Sequence, residues 1–148
     1  MSLTQGKIKI LNIFLKLLNR PTINWSNFEL DSSLNLNDFV DLLLEPIKFT
    51  DYNYRIKLGL HEALVNAVTH GNKLDPDKSI RVRRIITPNW CVWQIQDQGN
   101  GLEIKKRLYN LPEKLTSLNG RGLYIINECF DDIRWSNKGN RLQLALKR

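Results

Sequence analysis

The chain has little cysteine and no long hydrophobic run. Its only cysteines, Cys91 and Cys129, have no second Cys and no His at metal-ligand spacing, which excludes a disulfide framework and a zinc signature. The longest apolar-rich stretch, residues 8–18, is broken by Lys9 and Lys16, whereas a membrane span needs about 20 nearly uncharged residues. No small-x-small cleavage site follows it. We therefore expect a cytoplasmic protein without a membrane span.

The chain also has fewer acidic than basic residues. The chain has 22 Lys and Arg residues against 15 Asp and Glu residues, giving a net charge of +7. This balance favours anionic partners, such as nucleotide phosphates, nucleic acid, acidic protein surfaces or anionic lipid, without choosing among them. With 42% apolar residues in a chain of 148, we predict one globular domain with a core, which excludes a disordered tail.

The pattern of residues divides the chain into an appendage and a domain. Residues 7–19 predict a basic amphipathic helix, and the linker-like Arg20-Pro21-Thr22 follows it. We therefore predict an appendage over residues 1–22 and one domain over residues 23–148. The appendage could extend a dimer interface, cover the sheet or touch anionic lipid, and packing on its own domain is the default.

Within the domain, strands and helices follow one another in runs. The predicted elements are a strand within 23–33, a helix capped by Asn35 or Asn37 and ending towards Pro46, a long helix over 52–70 capped by Asp51, strands over 79–86 and 90–97, a loop over 101–119, a helix over 120–130, and strands over 133–136 and 142–147. This order predicts an α+β fold, a two-layer α/β sandwich whose mixed, mostly antiparallel sheet has its helices on one face.

The first polar cluster lies on the long predicted helix. Glu62, Asn66 and His70 are four residues apart and share one face, opposite the apolar stripe. A carboxylate and a carboxamide on one face suit an oxygen-ligated Mg²⁺ and the deprotonation of a water or hydroxyl. The spacing alone favours the alternative that this is the solvated face of an amphipathic helix.

The second cluster is Asp97-Gln98-Gly99-Asn100-Gly101, at the end of a predicted strand. Asp97 continues the row of Cys91, Trp93 and Ile95 on one strand face, which we expect to be buried. A buried carboxylate needs hydrogen-bond donors, and an adenine amino group would supply them while the glycines let the ring approach. An ordinary strand-ending turn is the equal alternative.

The third cluster, Gly120-Arg121-Gly122, opens a predicted helix. The free N–H groups and the positive dipole end of a helix N-terminus suit a polyphosphate, although an ordinary glycine-rich helix entry would have the same sequence. The glycines do not have the spacing of a dinucleotide-binding fingerprint, and no Gly-Lys-Ser/Thr is present for a P-loop. Those two nucleotide-binding folds are therefore excluded.

Taken in order, the three clusters resemble a known superfamily. The stretches LHEALVNAVTHGN, IQDQGNGL and NGRGLYIINECFDDI are similar in order and spacing to the N box and the two glycine boxes of the GHKL (histidine kinase-like) ATPases. The E-A-x-x-N-A-x-x-H-G form, the short lid and the small size most resemble the bacterial anti-sigma factor serine/threonine kinases. The resemblance covers about residues 23–147 and implies a helix-and-sheet sandwich with the nucleotide between the helices and the lid.

The resemblance also implies roles for the matched residues, with ATP and Mg²⁺ as cofactors. Glu62 would be the general base or the carboxylate that orients water, and Asn66 would be the Mg²⁺ ligand. Asp97 would bind the adenine amino group. The remaining positions would shape the pocket, beneath the base at Gly99 and Gly101 and around the phosphates at Gly120, Arg121 and Gly122.

The sequence departs from the family pattern in its last hairpin. Many relatives have Gly-Thr there, with the hydroxyl near the adenine, and this chain has Gly139-Asn140, whose amide can still form a hydrogen bond.

The function that the resemblance implies is an ATP-dependent anti-sigma factor. It would phosphorylate a Ser or Thr of an antagonist protein, sequester a sigma factor, or do both, and we expect it to form a homodimer. The alternative is a non-catalytic, nucleotide-gated interaction module, against which the presence of Glu62 argues. Direct nucleic-acid binding through Arg81, Arg83 and Arg84 near Trp90 and Trp93 is not expected, because no nucleic-acid motif is present.

Overall fold

The computed structural model describes residues 25–33, 35–47, 53–103 and 121–148. The predicted appendage over residues 1–22, the capping residue Asp51 and nearly all of the predicted loop over 101–119 lie outside the described residues, as does Gly120.

The strands of the described ranges, five in number, form one antiparallel sheet. They are β1 (Ser26–Asp31), β2 (Ser79–Ile86), β3 (Trp90–Gln96), β4 (Asp132–Trp135) and β5 (Arg141–Lys147). Their spatial order is β1-β2-β3-β5-β4, and each neighbouring pair is antiparallel. Each strand falls where the sequence predicts one.

The two-residue repeat of the strands gives the sheet one apolar face. Val82 of β2, Ile95 of β3 and Leu142 of β5 lie opposite one another across three strands, and all are buried. Cys91 and Trp93 continue the same row of β3 and are fully buried, as predicted. The chain leaves the sheet at Gln96, so that Asp97 stands at the end of this buried row.

Within the described residues, three helices pack on the apolar face. They are α1 (Asn37–Leu44), α2 (Asn53–Asn66), which continues as a π-helical turn over Ala67–Gly71, and α3 (Arg121–Cys129). Buried residues of all three helices belong to the same hydrophobic cluster as those of β2, β3 and β5. The predicted α+β sandwich with helices on one face is confirmed. None of the described helices has both the length and the apolar character that crossing a membrane requires.

The structure corrects two local predictions. The N-cap of α1 is Leu36, with no side-chain hydrogen bond, rather than Asn35 or Asn37, because Leu36 is only 1% exposed and its burial outweighs a polar cap. The second correction is that the predicted long helix keeps α-helical geometry only to Asn66 and then widens into the π-helical turn.

Candidate functional site

One end of the candidate site lies where α2 faces the first turn of α3. A methyl group built on Gly122 would lie 3.1 Å from Glu62 Oε2 and 3.2 Å from Asn66 Nδ2, so both side chains lie directly against the α3 backbone. Glu62 and Asn66 are half-buried, whereas His70, one turn further along, is exposed. The polar face of α2 is therefore a contact surface between helices at Glu62 and Asn66, and not the solvated face that the spacing alone favours.

The other end of the site lies at the π-helical turn. A side chain on Gly71 would overlap the Asp97 carboxyl group, and one on Gly99 would overlap the Gly71 carbonyl. Only glycine at both positions allows α2 to end against the turn that follows β3. The tight contact fixes Asp97 relative to the helix that carries Glu62 and Asn66.

Asp97 is half-buried at the centre of this contact. Its Oδ1 accepts a hydrogen bond of 2.7 Å from the Gly99 N–H, while Oδ2 has no hydrogen-bond donor among the described residues. Burial raises the pKa of the Asp97 carboxyl above its ordinary value, and this outweighs the lowering by the N–H groups of Gly99 and of Asp97 itself and by the charges of Lys138 and Lys78. The free Oδ2 suits the N–H donor of a ligand.

Asn72 holds the turn that follows β3 through hydrogen bonds. The sequence analysis did not predict a role for it. Its side chain, fully buried, donates to Ser32 Oγ at 2.7 Å and to the Ser79 carbonyl at 3.0 Å, and its Oδ1 accepts the Gln98 N–H at 2.7 Å. Asn72 therefore ties together the end of β1, the start of β2 and the residue next to Asp97. The one feature of the sequence that could have pointed to Asn72 is its position, as a polar residue directly after Gly71, which ends the helix.

The β4–β5 hairpin supports Asp97 from the other side. The Asp97 N–H donates to the Asn140 carbonyl at 3.0 Å, and Asn140 Nδ2 donates to the Asp97 carbonyl at 3.3 Å. Gly101 has φ +92°, and a side chain on it would overlap the Lys138 carbonyl. The contact between the turn after β3 and the β4–β5 turn therefore requires glycine at position 101. Asn140 holds the main chain of Asp97 in place through two hydrogen bonds.

The structure thus brings the matched residues together in two groups along α2. One group consists of Glu62, Asn66 and Gly122. The other consists of Asp97, Gly99 and Gly101. Asn66 is the last residue of α2 with α-helical geometry, and Gly71 ends the π-helical turn that follows it. Arg121 is exposed at the start of α3, and Gly120 lies outside the described residues.

The basic and aromatic residues considered for nucleic-acid binding do not form one surface. Arg84 donates to the carbonyls of Leu42 and Leu43 and so caps the C-terminal end of α1, while Trp93 is fully buried. Arg81 and Arg83 belong to the opposite face of the sheet.

The chemistry of the site fits a magnesium nucleotide. Asn66 offers a carboxamide oxygen and Glu62 a carboxylate, and a side chain on Gly122 of α3 would be in tight contact with both. No three His, Cys, Asp or Glu residues form a metal-binding group within the described part of the chain. Mg²⁺ commonly takes only one or two protein ligands beside phosphates and water, so Asn66 with a nucleotide would suffice.

Comparison with known proteins agrees with this geometry. No curated protein matches the chain. The sequence model of the histidine kinase-like ATPase domain matches residues 39–146, which include α2, Asp97 with its glycines and α3. The chain therefore belongs to the histidine kinase-like ATPase domain family.

Proposed function

We propose that this protein is an anti-sigma regulatory factor that binds Mg-ATP and transfers the γ-phosphate to a Ser or Thr of an antagonist protein. In the same proposal it acts as a homodimer, and it sequesters a sigma factor in addition to this transfer or in place of it. The observation that carries the ATP-dependent part is the layout along α2, which packs Glu62 and Asn66 against α3 at one end and meets Asp97 at the other. Family membership supports ATP use, and the anti-sigma assignment rests on the motif resemblance.

At the Asp97 end, the chain offers one fixed acceptor. Gly99 holds Oδ1, so Oδ2 would accept an amino N–H of the base, and guanine presents a carbonyl rather than an amino group at the corresponding ring position. Two oxygens facing each other would leave both without a donor, which predicts preference for ATP over GTP.

At the Glu62 end, the chain would move a proton. The substrate hydroxyl oxygen forms a bond to the γ-phosphorus, the bond from that phosphorus to the β,γ-bridging oxygen breaks, and ADP leaves. Glu62 would accept the hydroxyl proton, and Arg121 at the start of α3 would contact the phosphates. A Mg²⁺ ion on Asn66 would neutralise phosphate charge.

The first experiment is the shift in melting temperature with Mg-ATP. A ligand at about 100 times its dissociation constant adds roughly 2.7 kcal/mol, which for a chain of this size is about 5 to 10 °C. We expect this shift with Mg-ATP, a smaller one with Mg-GTP, and none with Mg-ATP for Asp97→Asn. An equal shift in the variant would remove Asp97 as the adenine-binding residue.

The second experiment separates a kinase from a nucleotide-gated module. With radiolabelled ATP and the antagonist encoded nearest this gene, the parent protein should label the antagonist. Glu62→Ala should bind Mg-ATP yet transfer about 100-fold or more slowly. A parent that binds ATP without labelling any candidate antagonist would favour the non-catalytic module.

A further inference from the structure

The face of the sheet opposite the helices carries a groove of about 530 Å³. We call it the arginine groove and define it by Arg81 and Arg83 of β2, Gln94 and Gln96 of β3, and Arg141 of β5. The strand register places Arg81, Gln96 and Arg141 directly opposite one another, so that two arginines flank a glutamine across three strands. The groove lies on the other side of the sheet from the candidate nucleotide site.

The arginines of this groove form no ion pair within the described part of the chain. Arg81, Arg83 and Arg141 are exposed, and none forms an ion pair with a described residue. The guanidinium of Arg83 instead lies over the ring of Trp25, 4.6 Å from its centroid. The groove is therefore lined by guanidinium groups whose N–H donors are available to a ligand.

One carboxylate, that of Glu29, lies among the described residues of the groove. Glu29 Oε1 already accepts a hydrogen bond of 2.6 Å from Ser79 Oγ. A second cavity of about 460 Å³ shares Gln96 and Arg141 with the groove and adds Lys138, which extends the positive surface towards the β4–β5 turn. Opposite charge on a ligand would complement this surface.

The spacing of the positive charges fits an extended chain. Arg81 and Arg83 are two residues apart on β2, or about 6.8 Å, and Arg141 lies two strands away from Arg81, or about 9.6 Å. Alternate side chains of an extended peptide repeat at the same distance of about 6.8 Å. Carboxylates at every second position of a peptide that runs along β2 would therefore meet Arg81 and Arg83, while Arg141 adds positive charge to one side of it.

The floor of the groove is polar and suits a ligand with hydrogen-bond donors. Gln94 Nε2 donates to Gln143 Oε1 at 2.9 Å, but Gln94 Oε1 is buried and has no hydrogen-bond partner among the described residues. A polar floor with an unpaired acceptor suits a ligand that carries hydrogen-bond donors, such as the N–H groups of a peptide. A second copy of the chain would place arginines against arginines across a symmetric contact, which like-charge repulsion opposes.

From these observations we infer that the arginine groove is a docking surface for an extended, acidic segment of a partner protein. The inference goes beyond the proposed function, because the groove shares no residue with the candidate nucleotide site and does not depend on ATP.

The test is binding of a fluorescein-labelled peptide with Glu at every second position and Ser between, followed by fluorescence anisotropy at low and at physiological ionic strength. The combined variant Arg81→Gln, Arg83→Gln, Arg141→Gln should weaken binding about 10-fold to 100-fold, since it removes three charge contacts. Its melting-temperature shift with Mg-ATP should equal that of the parent, which separates this result from a failure of the nucleotide site.

A control variant removes three positive charges elsewhere on the surface. Arg55→Gln, Lys57→Gln, Lys73→Gln should weaken peptide binding by less than about threefold, because only long-range attraction is reduced. Equal weakening in both variants, or no binding of the peptide to the parent, would overturn the inference. Tighter, groove-dependent binding of a single-stranded RNA would replace the peptide with nucleic acid, and a dimer that only the groove variant dissolves would replace it with a second copy.

Discussion

Replacing Asn72 with alanine tests whether one buried side chain holds the site together. The change removes the donors to Ser32 Oγ and to the Ser79 carbonyl and the acceptor for the Gln98 N–H. Each hydrogen bond contributes about 0.5 to 1.5 kcal/mol, so that three bonds give a loss of about 3 kcal/mol in the free energy of unfolding. For a chain of this size the melting temperature should fall by about 10 °C.

The loss should also reach the nucleotide site. Gln98 is the neighbour of Asp97, and without Asn72 the turn loses the bond to the Gln98 N–H and keeps its contacts to Gly71, to the β4–β5 hairpin and to the Ser79 N–H, which donates to Gln98 Oε1. We therefore expect weaker ATP binding, measured by calorimetry at a temperature where the variant is fully folded.

The measurement is urea unfolding followed by circular dichroism, with Asn127→Ala as the matched control. Asn127 is exposed on α3, so the control should change the free energy of unfolding by no more than about 0.5 kcal/mol. A loss below about 1 kcal/mol for Asn72→Ala, or equal losses in both variants, would refute the view that Asn72 anchors the three segments.

Three further changes probe the site and its supports. Asp97→Asn should stabilise the nucleotide-free protein near pH 7, because burial raises the pKa of Asp97 and the charged carboxylate carries a desolvation cost. The gain in the free energy of unfolding should shrink as the pH falls through that raised pKa. Urea unfolding at several pH values measures it, and no gain at pH 7 would contradict this. Gly59→Ala should lower the melting temperature, since the added methyl would lie 2.7 Å from both Cys129 Cβ and Phe130 Cε2. Overpacking costs about 1 to 3 kcal/mol, which exceeds the helix-propensity gain of about 1 kcal/mol. A higher melting temperature would mean that α2 and α3 separate freely. Asn66→Ala should weaken Mg-ATP more than metal-free ATP in calorimetry, and an equal loss for both would count against metal ligation.

The sheet shows how far local pattern reaches. Alternation along β3 places Cys91, Trp93 and Ile95 on one face, and all three are buried in the structure. Strand and helix periods depend on the chain's own stereochemistry, which explains why they can be predicted without knowing the neighbours. The cap of α1 could not be predicted in this way, because the burial of Leu36 by other segments decided it.

The sequence by itself determined the α+β class, the buried row that ends at Asp97, and the helix face that carries Glu62 and Asn66, since each depends on spacing along one element. Only the tertiary structure decided that this helix face meets α3 at Gly122, that a π-helical turn presses Gly71 against Asp97, and that Asn72 joins three segments. Those contacts join residues far apart in the chain, and their energies depend on burial and on hydrogen-bond distances that exist only after the elements pack.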